Sequence, residues 1–170
     1  MLVGIVIAVT LMVQDTTPQH KDTTPSAPPA PTVEQIRYMD GLRTVTRGVA
    51  QIRDGVNRVV RTQRADSLTR RRAARRLGGL CGTARSFIVS GRPRMQATAY
   101  SDSLKILAKQ LTVRLDSLTS ALPACEHTAG HDPMGVATTL TTRLKNYDDA
   151  LLAFRTAQSS VNKADSAKAN

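Results

Sequence analysis

Leu42, Val45, Val49, Ile52, Val56 and Val59 follow one another at intervals of three, four, three, four and three residues. That rhythm holds one apolar stripe on one side of a helix, and a stripe of this length has to be covered by other helices. Ile36 and Met39 extend it backwards, so the first helix is expected from about residue 33 to residue 60, with Thr32 as its N-cap and Glu34 in its first turn.

Two later stretches repeat the rhythm. Leu104, Ala108, Leu111, Leu115, Leu118 and Leu122 predict a second main helix ending at Pro123. Ala137, Leu140, Leu144, Tyr147, Leu151, Phe154 and Val161 predict a third, running from about residue 134 to residue 161. Aromatic residues make up only 3% of the chain and tryptophan is absent, so the core must be built from Leu, Val, Ile and Ala, which suits interlocking helices. The expected class is all-α: an antiparallel, up-down-up three-helix bundle over 33–161 with coiled-coil-like packing.

Between the first and second stripes the pattern changes. Gln63 and Asp66 stand where seam residues are due, and a run of arginines predicts a charged extension of the first helix, ended by Gly78 and Gly79. Leu80, Ala84, Phe87 and Ile88 predict a short extra helix over 80–90, followed by a turn at Gly91-Arg92-Pro93. Gly41, Gly48 and Gly55 lie seven residues apart beside the first stripe. Each costs about 1 kcal/mol relative to alanine inside a helix, and their shared heptad position fits a closely approaching neighbour backbone.

Leu2 to Val13 is apolar except for Gly4 and Thr10. As a helix it would span about 18 Å, short of a hydrocarbon core of about 30 Å, so residues 1–13 read as the apolar part of a secretory signal or as a short anchor. Residues 14–32 carry Pro18, Pro25, Pro28, Pro29 and Pro31 among Thr, Ser and Ala, the composition of a disordered linker. Residues 162–170 are small and polar, a disordered tail.

The net charge of +11 is concentrated: residues 1–32 carry −1, 33–60 carry +2, 61–94 carry +9 and 95–170 carry +1. The candidate anion-binding residues are therefore Arg61, Arg64, Arg70, Arg71, Arg72, Arg75, Arg76, Arg85, Arg92 and Arg94. For an exported protein the expected partner is an anionic surface polymer, lipid head groups or another protein; for an intracellular one it is nucleic acid, bound without base stacking because aromatics are lacking.

Cys81 and Cys125 are the only cysteines, and in an exported chain an even count points to a disulfide. Closing a loop of 44 residues would contribute about 4 kcal/mol in the chain-entropy view. The competing use is a metal site of Cys125, His127 and His131, but Cys-x-His-x3-His lacks the paired spacing of zinc modules. No Cys-x-x-Cys-His and no histidine on a stripe speaks for haem, so no cofactor is expected. Asp148 and Asp149 are adjacent and diverge by about 100° on a helix, and no phosphate loop or nucleophile elbow occurs, so the chain does not read as an enzyme.

Overall fold

The computed structural model describes residues 30–168, all of whose regular structure is helical. The expected export segment and most of the linker lie outside the described residues. Five helices occur: α1 (Val33–Arg61), α2 (Ser67–Gly91), α3 (Asp102–Thr119), α4 (Leu122–Thr128) and α5 (Pro133–Lys168), with two short 3-10 turns between α2 and α3. The four long helices share one core, and α4 lies in the connection between α3 and α5.

The first stripe behaves as its spacing requires. Leu42, Val45, Val49, Ile52, Val56 and Val59 are all buried. The expected extension through Ile36 does not hold: Ile36 is exposed, Met39 is half-buried, and Tyr38, four residues before Leu42, takes the core position. Val161, at the far end of the third stripe, is exposed because no helix among the described residues covers it there. Thr32 caps α1 through its hydroxyl, which accepts from the Gln35 amide at 3.2 Å, while the Gln35 side chain accepts from the Thr32 amide at 3.0 Å. This reciprocal pair satisfies two otherwise unpaired amides.

The arginine run does not extend α1. The helix ends at Arg61, the Thr62 hydroxyl donates back to the Arg58 carbonyl at 2.9 Å, and the chain reverses. Asp66 then caps α2, accepting from the Thr69 amide at 2.9 Å and from its hydroxyl at 2.6 Å. Two local side-chain caps thus outweigh the helix propensity of the intervening arginine and alanine.

Gly78 and Gly79 do not end α2 either. Ala73, Ala74, Leu77, Cys81, Ala84 and Ile88 form a buried stripe straight across them, so the expected extension and the expected short helix are one element. Burial of that stripe outweighs the glycine cost, and neither glycine takes the left-handed conformation of a helix stop. The bundle accordingly has four long helices rather than three.

α1 and α2 are antiparallel and in close backbone contact. A Cβ on Gly41 would fall 2.7 Å from the Gly91 carbonyl oxygen, and one on Gly48 would fall 2.8 Å from that of Ala84. On Gly55 it would meet the Leu77 side chain at 2.8 Å. The heptad of glycines is therefore the seam along which the two helices touch.

α5 runs antiparallel to α1, with Phe154 against Tyr38 and Asp148 bridged to Arg53 at 2.7 Å. It also runs antiparallel to α3: Arg143 donates to the Ser117 carbonyl and, at 3.0 Å, to the Ser120 hydroxyl. Tyr38, Tyr100 and Phe154 form an aromatic cluster with centroids 5.1 to 5.5 Å apart near the start of α1. Pro123 opens α4 instead of closing a longer α3, because proline is tolerated in a first helical turn. No proline or glycine follows Gly135, and α5 continues as helix to Lys168 through the stretch expected to be a tail.

Candidate anion-binding end

Where α1 finishes, α2 begins and α5 begins, the bundle has a strongly basic end. The turn between α1 and α2 places Arg61 and Arg64 there. The first turns of α2 add Arg70, Arg71, Arg72, Arg75 and Arg76, and all seven side chains are exposed. Arg75 and Arg76 lie one turn beyond Arg71 and Arg72, so these four form a block on the outward side of α2. Arg70 is on the inward side, in line with Ala74 and Leu77, but beyond the limit of the packed core.

Five arginines elsewhere have carboxylate partners, while Arg37, Arg47, Arg94, Arg114, Arg143 and Arg155 have none among the described residues and are dispersed over the bundle. Arg43 pairs with Asp40 at 3.0 Å, Arg53 with Asp148 at 2.7 Å, Arg58 with Asp54 at 3.8 Å, Arg85 with Glu126 at 3.7 Å and Arg92 with Asp116 at 2.8 Å. None of the seven at the basic end has a carboxylate within ion-pair distance among the described residues. The one acid in the segment, Asp66, is committed to capping. The Thr69 hydroxyl and amide that donate to it hold its carboxyl below the ordinary 3.8.

The structure divides the ten arginines expected to act together. Arg85 is on the middle of α2 beside Glu126 of α4. Arg92 forms a two-pronged bond to Asp116, which raises its pKa and ties the end of α2 to α3. Arg94 lies near Gly41, at the opposite end of the hairpin. Sequence proximity grouped these three with the rest, whereas the length of α2 separates them: 25 residues of helix span about 37 Å.

No protein-family model, curated protein or solved structure matches this chain. The functional reading therefore rests on the site itself.

Beside Arg70 and Arg71 a cleft of about 480 Å³ opens between α1, α2 and the start of α5. Val59, Ala74, Pro133 and Met134 supply apolar surface to it. Gly130, Pro133 and Met134 on its far side come in the chain just after α4, which is fastened to α2 by the bond between Cys81 and Cys125, Cα atoms 6.2 Å apart. Both cysteines are buried. Gly78 lets α4 settle onto α2: a Cβ there would press to 3.3 Å from the Glu126 carbonyl oxygen.

With its sulfur bonded to Cys81, Cys125 offers no thiolate to a metal. His127 and His131 are exposed, and no group of three potential ligands occurs among the described residues. No helix among them is long and apolar enough to cross a membrane.

Proposed function

We propose that this chain is an extracytoplasmic, non-catalytic interaction protein that docks on anionic envelope material through the basic end of its bundle. The observation that carries the reading is the density of uncompensated charge: seven exposed arginines are gathered at one end, and none has a carboxylate within ion-pair distance among the described residues. Their placement is also electrostatically unfavourable for the free protein. Arg71 and Arg75, and Arg72 and Arg76, are like charges one helical turn apart, each pair costing about 0.2–0.5 kcal/mol. Arg70 and Arg71 stand close to the positive end of the α2 dipole, which favours anions. A bound polyanion relieves both costs, and guanidinium groups bind phosphate, sulfate or carboxylate oxygens in pairs.

Export is supported by the apolar run at 2–13 and by the buried disulfide, which an oxidising compartment maintains. The rival reading, an intracellular protein binding nucleic acid through the same arginines, accounts for the charge but not for the disulfide. It also lacks aromatic side chains for bases at that end, since Tyr38, Tyr100, Tyr147 and Phe154 are buried and the half-buried Phe87 packs beside Gly48 farther along α2.

The test is retention on an immobilised anionic polymer as salt is raised. The natural chain should elute late and with strong salt dependence. Replacing Arg70, Arg71, Arg72, Arg75 and Arg76 with glutamine should move elution to low salt without altering helicity, since arginine and glutamine have similar helix propensities. Unchanged retention of that variant would remove the proposed role from these residues.

A further inference from the structure

Two large aliphatic side chains stand exposed at the basic end. Val60, in the last turn of α1, is 49% exposed, and Leu68, in the first turn of α2, is 51% exposed. They flank the turn that carries Arg64, with Arg61 directly after Val60. Leu68 lies on the outward side of α2, below Arg71 and Arg72 at three and four residues' spacing. The cleft beside Arg70 and Arg71 adds further apolar surface from Val59, Ala74, Pro133 and Met134.

We infer that the anionic partner of this end is a lipid bilayer, with the arginines on lipid phosphates and Val60 and Leu68 dipping into the acyl boundary. This inference rests on the docking reading above and narrows its partner. A sugar- or nucleotide-based polyanion gains from the guanidinium groups but offers nothing to two exposed aliphatic side chains. A bilayer surface offers phosphate at the level of the arginines and hydrocarbon just beneath it. Arginine stems also bury their methylenes at such a boundary while the guanidinium stays at the head groups. The seven arginines supply long-range attraction to an anionic leaflet and select this end: aliphatic side chains are exposed elsewhere too, Val33 and Ile36 at the other end of α1 among them, but Val60 and Leu68 stand beside the arginine cluster.

The absence of tryptophan makes the test site-specific. In the full chain, Leu68→Trp places the sole indole at the basic end. Leu152→Trp, at a position 67% exposed on α5 toward the opposite end of the bundle, serves as the control. Each is mixed with vesicles of equal parts phosphatidylglycerol and phosphatidylcholine, with or without bromine on the acyl chains. The expected result is a blue shift and several-fold quenching by brominated chains for Leu68→Trp, with no quenching for Leu152→Trp. Adding the five glutamine substitutions to Leu68→Trp should abolish its quenching. Equal quenching at the two positions would overturn the inference, because it would mean adsorption without orientation, as would an unquenched indole at 68. If the indole at 68 stays unquenched while arginine-dependent retention on the anionic polymer persists, the docking reading stands and only the lipid assignment fails. If that retention is absent as well, both fail.

Discussion

At the scale of single residues, the most informative positions are glycines and tyrosines. Gly48→Ala would drive a methyl group to 2.8 Å from the Ala84 carbonyl oxygen, with two backbones having to part. A loss of about 1–3 kcal/mol in chemical denaturation is expected. Gly79→Ala meets nothing within 4 Å on the open side of the same hairpin, and should gain about 0.5–1 kcal/mol. The two substitutions should therefore change stability in opposite directions. All three tyrosines are buried and have pKa values raised above the ordinary 10.0: burial is the main cause for each, reinforced at Tyr38 by the neighbouring Tyr100 and Tyr147. A raised folded-state pKa means that the stabilisation is complete below the unfolded value and is lost as pH climbs past it. The fold should therefore weaken above about pH 10, and tyrosinate absorbance should appear together with loss of helical circular dichroism. Tyrosinate forming while helicity is intact would contradict this burial. The positions of the stripes were legible because spacing alone determines a helical face. The aromatic cluster was not: Tyr38 lies four residues before Leu42 on the first stripe and Phe154 on the third, but they meet each other and Tyr100 only once the helices are assembled.

At the scale of elements, α2 shows what a reading by propensity misses. Its start is marked by Asp66 and Thr69 and its middle by two glycines, so an arginine-rich extension ended by glycine is the local expectation. The stripe Leu77, Cys81, Ala84 and Ile88 carries the opposite instruction across Gly78 and Gly79, and burial decides between them. The glycine heptad of α1 was legible as a close approach, because three costly residues at one heptad position fit a packed seam, but its partner helix was not. α4 illustrates the dependence of an element on a covalent tie: seven residues make a helix too short to persist alone, and the bond at Cys125 holds it on α2. Replacing Cys81 and Cys125 with serine should cost about 2–5 kcal/mol, with amide exchange accelerating first over 122–134. Uniform acceleration across all helices would show that the bond supports the whole bundle instead of this one connection.

At the scale of the whole molecule, net charge is separated from structural pairing. Ion pairs join α1 to α5, α2 to α4 and the end of α2 to α3, while seven arginines without a carboxylate partner among the described residues are gathered at one end. The excess of positive charge was plain in the sequence. Its division into a basic end and three arginines used or placed elsewhere was not, because it depends on where α2 begins and how far it runs. On the proposed reading, the basic end carries unfavourable charge which an external anion relieves. The most direct measurement is the thermal midpoint of the natural chain and of the variant with glutamine at positions 70, 71, 72, 75 and 76, at low and high salt, with and without a soluble polyanion. At low salt the variant should melt about 2–4 °C higher, a gap that closes as salt screens the repulsion. The polyanion should raise only the natural chain's midpoint. A variant that melts lower than the natural chain at low salt, or a polyanion that stabilises both equally, would contradict the account.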